Sequence, residues 1–252
     1  MHLILTGATG LVGSSVLDAM LHNPQISKIS ILSRRKVDMA DAAADPRVEV
    51  INHQDFNVYK SELLEKLADA DGCVWALGIS QAKVTKSEYV TITKDYALAA
   101  ANAFLTLRQG RKPFRFIYVS GEGATQTPGW TSVLFARVKG ETETALGELS
   151  AKHPDKLRAD SVRPAAVDAS AHTSIKPYIP YPGAMMHGLG LLLLPLIRWG
   201  WKSGHSPTQP LGIFLTDMAM GKYDQQIQGR GAFRLGGGWV VENVGMRRML
   251  GL

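Results

Sequence analysis

A chain of 252 residues, 45% of them apolar and 20% charged, reads as an ordinary soluble globular protein that can bury one sizeable core. The formal net charge of +6 comes without a long Lys/Arg run, a zinc-finger spacing or an aromatic–basic repeat, which argues for a mildly basic surface and against nucleic acid as a partner. The single cysteine, Cys73, excludes an internal disulfide framework and suits a reducing compartment; it falls in an apolar strand-like run, where packing explains it better than nucleophilic duty.

Leu3-Ile4-Leu5 predicts a first strand, so close to Met1 that no signal or transit peptide is expected ahead of it. It leads into Thr6-Gly7-Ala8-Thr9-Gly10-Leu11-Val12-Gly13. Behind these, Val12, Val16, Leu17, Met20 and Leu21 recur at helical spacing until Asn23-Pro24 ends the pattern. The glycines therefore sit at a strand-to-helix turn. Gly7 permits the tight turn, Gly10 lets a phosphate approach the backbone, and Gly13 lets the helix lie close to its strand. The N–H groups and dipole of the helix start suit a pyrophosphate. Gly7, Thr9, Gly10, Leu11, Val12 and Gly13 are thus the expected dinucleotide-binding residues, with a purely structural glycine turn as the alternative.

Ile29–Leu32 reads as a second strand ending in Ser33-Arg34-Arg35-Lys36. An NAD-selective site carries an acid about 20 residues past the glycines for the ribose 2′-hydroxyl. Here Arg34 and Arg35 stand instead, and guanidinium groups suit a 2′-phosphate, so NADP is expected rather than NAD; a solvated basic loop is the alternative. Asp38–Pro46 reads as an Ala- and Asp-rich surface loop, and Val48–Ile51 as a third strand. Asp55, followed by Phe56, is placed to meet an adenine amino group. Leu63, Leu64 and Leu67 mark a helix. Cys73–Gly78 is an apolar fourth strand whose end, Leu77-Gly78, lies on the expected cofactor path. Ser87–Leu107 reads as one long helix with Val90, Ala97, Ala100, Ala101 and Phe104 toward the sheet.

Phe114–Val119 is the fifth strand, ending at Ser120-Gly121-Glu122-Gly123-Ala124. A helix then carries Phe135 to Glu141, and Asp160–Val162 forms a sixth strand closed by Arg163-Pro164. Strands alternating with helices predict an α/β fold, a doubly wound parallel sheet of Rossmann type in one domain, with residues 1–167 as its core. Beyond Ala165 the texture changes. Pro177, Pro180 and Pro182 punctuate the chain, and an apolar segment, Leu189–Trp201, is broken by Pro195 and Arg198 and is too short to span a bilayer. Leu211–Lys222 reads as a helix, Ala232–Leu235 as a short strand and Val240–Leu250 as a last helix. Residues 168–252 are expected to form a small C-terminal lid over a substrate.

The glycine motif, Arg34-Arg35, Asp95-Tyr96, Ser120 with Gly123-Ala124, Val138-Lys139-Gly140-Glu141 and Arg163-Pro164 together resemble the short-chain dehydrogenase/reductase superfamily in its atypical, epimerase-like branch. The likeness is nearest to fungal nucleoside-diphosphate-sugar epimerase-like proteins. It extends more distantly to the Tat-interacting oxidoreductase-like proteins and their mitochondrial fungal relatives. It covers Met1 to about Val167 well and the rest loosely, and it implies that Pro164 also lies against the cofactor. It further implies a tyrosine four residues before a lysine on one helix as general acid/base, and a hydroxyl after the fifth strand that orients the substrate. Residues i and i+4 share a helix face, so the ammonium lowers the phenol pKa. Lys139 is in place, as catalytic residue and ribose contact, but the position four before it is Phe135. Ser120 is the candidate hydroxyl, although the next residue, Gly121, is where the resemblance places it. Thr93 stands near where relatives carry Asn or Asp.

Three readings follow. The first is NADP-dependent reduction or isomerisation of a small molecule, with a surrogate acid from Tyr96, Glu122, Tyr178 or Tyr181. The second is a non-catalytic NADP-binding scaffold or assembly protein. The third is peripheral membrane attachment through Leu189–Trp201, including the mitochondrial surface, for which a buried lid helix or a homodimer face is a simpler account. A cytoplasmic location is expected, and no metal site.

Overall fold

Alternation along the first strand decides the layering. In β1 (His2–Thr6), Leu3 and Leu5 enter one apolar cluster and Ile4 the other, all at 0% exposure. The strand is therefore covered on both sides, as a parallel sheet requires. The computed structural model describes residues 1–107, 112–181 and 200–252.

The strands β2 (Lys28–Ser33), β3 (Val48–Asn52), β4 (Gly72–Trp75), β5 (Phe114–Val119) and β6 (Leu157–Arg163) join β1 in the order β3-β2-β1-β4-β5-β6, all parallel. A pair, β7 (Ala166–Asp168) and β8 (His205–Pro207), forms a separate two-stranded sheet. The main sheet continues beyond β6 through β10 (Gly238–Glu242), parallel to it, and β9 (Ala232–Leu235), antiparallel to β10.

The helices are α1 (Leu11–Leu21), α2 (Asp38–Ala43), α3 (Ser61–Lys66), α4 (Lys86–Val90), α5 (Tyr96–Phe104), α6 (Leu134–Lys152), α7 (Thr208–Met220) and α8 (Asn243–Leu250). One sheet face packs on α1 and α7 through Val16, Leu17, Leu211, Phe214 and Leu215. The two helices touch at the backbone, since a Cβ on Gly212 would lie 2.2 Å from the Ser15 carbonyl oxygen. The other face packs on α5 and α6 through Ala97, Ala101, Phe104 and Leu146, over Trp75 and Phe116.

Four local expectations change. Asp38–Pro46 is not simply a loop: it folds as α2, because Met39 and Ala40 reach the core while Asp38 and Asp41 sit in the favourable first turn. The long helix expected from Ser87 is α4, a π-helical turn at Thr91–Asp95, then α5; the extra residue buries Tyr89, with Val90 only half-buried. The fourth strand stops at Trp75. Val240 and Val241 lie in β10 rather than in a helix, where they pair with β6. Residues after 167 also supply α7, β9 and β10 to the main layers. Of the apolar segment Leu189–Trp201, only Gly200 and Trp201 are described, and both are exposed; the rest, with Pro182, lies outside the described residues. No helix among the described residues is long and apolar enough to cross a membrane.

Candidate active site

The sheet order reverses between β1 and β4, and open α/β sheets place ligands at such a switch point. The glycine turn lies there. Gly7 has φ +73, and a Cβ on it would fall 2.3 Å from the Ala76 carbonyl oxygen, which closes the turn against the end of β4. A Cβ on Gly13 would fall 1.9 Å from the Gly7 carbonyl oxygen, so helix and turn are in backbone contact. Gly10 differs. It is the N-cap of α1 in extended conformation, and an added Cβ meets only the Gly7 carbonyl oxygen, at 3.3 Å. The first N–H groups of a helix have no intrahelical partner, and α1 carries no acid in its first turn. Thr9, Leu11 and Val12 complete this half-exposed rim.

Arg35 reaches back over the turn: its Nη2 donates to Thr9 Oγ1 at 2.9 Å and its Nε to the same oxygen at 3.3 Å. Ser33 Oγ donates to the Arg35 carbonyl oxygen at 2.7 Å and fixes that backbone. Arg34 is exposed beside it. Lys36 pairs instead with Asp41 at 3.1 Å and Asp38 at 3.9 Å, and the Asp41 bond raises its pKa. A cavity of about 240 Å³ opens here, between Thr9, Arg35 and Met39 on one side and Tyr178 and Pro180 on the other.

Asp55 is exposed on the loop after β3 and accepts the Asn57 N–H at 2.9 Å. The Phe56 side chain cannot face a ligand: it is 1% exposed, edge-on to Trp75 at 5.9 Å, which leaves only its backbone for a cofactor. Leu77 donates its N–H to Thr6 Oγ1 at 3.3 Å, and Gly78 is exposed just past the end of β4.

At the end of β5, Lys139 Nζ donates to the carbonyl oxygens of Val119 at 2.8 Å and Ser120 at 3.1 Å. Burial pushes its pKa down to about 8, with the Glu143 carboxylate opposing that shift. Ser120 Oγ is buried and has no hydrogen-bond partner among the described residues. Phe135 turns its ring tip onto Gly121, where a Cβ would lie only 2.7 Å from Cζ. Beneath, Arg163 makes a two-point ion pair with buried Glu143, Nε to Oε1 at 2.9 Å and Nη2 to Oε2 at 2.5 Å, and Gln126 bonds both. This buried cluster was missed in the sequence; the i, i+4 spacing of Lys139 and Glu143 was its only signal. Pro164 is buried in the adjoining loop and accepts the Glu122 N–H at 2.9 Å.

No family model matches the chain. It is 45% identical over 157 residues to Botcinic acid biosynthesis cluster B protein 16 of Botryotinia fuckeliana, covering 62% of this chain and 99% of that protein. It is 36% identical over 239 residues to Leucinostatins biosynthesis cluster protein T of Purpureocillium lilacinum, covering 87% and 85%. Weaker similarity reaches mitochondrial protein FMP52 of Candida albicans, 27% over 63% of this chain and 66% of that one, and protein HTATIP2 of Rattus norvegicus, 29% over 58% and 56%. In fold it matches an oxidoreductase of the short chain dehydrogenase/reductase family from Burkholderia thailandensis, with TM-score 0.66 at 14% identity, covering 99% of this chain and 96% of that one. The chain belongs to the atypical short-chain dehydrogenase/reductases.

The remaining candidate residues are scattered. Glu122 Oε2 accepts the Asn243 N–H at 3.4 Å, so that carboxylate sits at the start of α8. Tyr96 is half-buried with its ring 5.8 Å from Phe56. Tyr181 is exposed. Tyr178 lies in the cavity beside Arg35, against the glycine turn, and not at the end of β5. Thr93 is buried in the π turn, its carbonyl oxygen accepting from the Tyr118 hydroxyl at 3.2 Å. Among the described residues no cluster of potential metal ligands is found.

Proposed function

We propose that the chain binds NADP(H) across the carboxyl ends of β1, β2 and β4 and acts as an oxidoreductase or epimerase-like protein on a small molecule. The supporting observation is the glycine turn: reversed at Gly7, open at Gly10, free of acid at the start of α1, with Arg35 hydrogen-bonded above Thr9. An anion fits such a cradle. Main-chain N–H groups at the start of α1, from Leu11 to Gly13, would hold the pyrophosphate, the Gly10 N–H being given to the Gly7 carbonyl oxygen at 2.9 Å, and Arg35 with Arg34 would hold the 2′-phosphate. Asp55 would take the adenine amino group, Leu77, Gly78 and Pro164 would line the path, and Lys139 would hold the nicotinamide ribose. When bound, the nicotinamide gives or takes hydride. The chain's own part is to orient the substrate and place a cation, Lys139, beside it. The relatives' names, both from biosynthesis clusters, support a biosynthetic intermediate as substrate.

Calorimetry tests this. NADPH should bind more tightly than NADH, and Arg34→Ala with Arg35→Ala should remove most of the difference. A charge-assisted contact contributes about 1.5–3 kcal/mol, so preference should fall about tenfold or more. Gly10→Val should block both cofactors while the protein stays folded, because its extended backbone accepts a β-branched residue. Equal affinity for both cofactors in the unmutated protein would overturn the NADP reading.

One observation favours the second reading, a non-catalytic NADP-binding scaffold. Phe135 and Gly121 pack on each other where the family pattern has two hydroxyls. A positioned general acid contributes about 10²–10⁴-fold, so turnover of simple carbonyls is expected to be weak. A cytoplasmic location, peripheral contact with a mitochondrial surface and a homodimer are parts of the proposal, for which fractionation, liposome flotation and light scattering are the measurements.

A further inference from the structure

We infer that Tyr178 closes the pocket for the ribose 2′-phosphate, so the segment after β7 grips the adenosine end of the cofactor instead of roofing the substrate. This rests on the NADP(H) reading and deepens it. The cavity beside the glycine turn has two walls of different origin. Thr9 and Arg35 form the wall expected of a dinucleotide site. Tyr178, Ile179 and Pro180 form the other.

That second wall is held in place. Buried His172 bonds Asp18 of α1 through Nε2 at 3.1 Å and Thr208 of α7 through Nδ1 at 3.0 Å. Ile175 is 0% exposed, the Tyr178 N–H donates to its carbonyl oxygen at 3.0 Å, and Tyr178 and Ile179 pack against the core. The charge is asymmetric too. Lys36 is engaged by Asp41 and Asp38, whereas among the described residues the Arg35 guanidinium donates only to the neutral Thr9 hydroxyl. A guanidinium has further donors to offer a phosphomonoester. A ring across the pocket excludes water from that ion pair and strengthens it.

The test uses the full chain and two probes that differ only in one group, adenosine 2′,5′-bisphosphate and adenosine 5′-monophosphate. The unmutated protein should prefer the bisphosphate. Tyr178→Ala should weaken the bisphosphate about tenfold and leave the monophosphate within about twofold, the scale of one charge-assisted contact. Tyr178→Leu, which keeps the part of the side chain packed on the core but not the ring that spans the pocket, serves if the alanine variant melts early, and should show a selective loss in the same direction. Selectivity kept in both Tyr178 variants but lost in Arg35→Ala overturns this inference and leaves the cofactor reading standing. No selectivity in the unmutated protein, or no binding of either nucleotide, overturns both.

Discussion

Lys139 shows how much one side chain can carry. Its ammonium lies between two backbone carbonyl oxygens and above Tyr118, with Nζ 5.2 Å from that ring centre. Its pKa falls from 10.5 to about 8 because burial penalises the charge, and Glu143 recovers only part. Below pH about 8 the lysine is charged in both folded and unfolded chains, and the folded state bears the whole penalty. Between about 8 and 10.5 the folded chain has released a proton that the unfolded chain still holds, so stability rises with pH through that window. Lys139→Met should therefore flatten the rise. Comparing melting temperatures of the two proteins at pH 7 and pH 10 checks this. A gap between them that does not change with pH would mean the ammonium is well solvated. The identity of Lys139 was legible in the sequence from Val138-Lys139-Gly140-Glu141. Its environment was legible only in the i, i+4 spacing to Glu143, since the carbonyl oxygens of Val119 and Ser120 reach the ammonium only when α6 docks on β5.

The contact between α6 and the end of β5 sets what the site can do. Phe135 and Lys139 lie one turn apart on one helix face, so docking that places the ammonium also places the ring. The ring tip then fills the space over Gly121. The sequence showed two separate departures from the family pattern. The structure makes them one: the absent side chain at 121 leaves room for the aromatic ring at 135. Gly121→Ser should accordingly destabilise the protein by about 1–3 kcal/mol through overpacking. Adding Phe135→Ala to it should recover much of that loss, a coupling that urea denaturation of the four-member cycle measures. A neutral Gly121→Ser would show the ring free to move aside, and the site open to a hydroxyl. Periodicity misled in the neighbouring helix for a related reason. A π turn adds one residue to a turn, so counting back at 3.6 residues per turn from buried Ala97 puts Val90 where Tyr89 is buried.

At the scale of the whole molecule, the first two thirds of the chain was readable because each of β1 to β5 precedes its own helix, and both alternation and helical spacing repeat. After residue 167 that rhythm stops. Its elements were hard to rank because their partners are distant in sequence: α7 lies against α1, and β10 against β6. Short-range patterns carry no trace of such pairings. The consequence concerns folding. Leu211, Phe214 and Leu215 are each 0% exposed on the same sheet face as Leu3 and Leu5, so α7 is half of one cover. Without it, a large apolar area of β4 and β5 would meet water at about 25 cal/mol per Å², and without β10, β6 would become a bare edge. A fragment of residues 1–167 should therefore fail to fold cooperatively. Urea unfolding of the full chain should be a single transition, while the fragment should show no transition and should bind a dye for exposed apolar surface. A fragment that melted sharply and kept its NADPH affinity would mark residues 168–252 as an appendage, and α7 as a cover the sheet can do without.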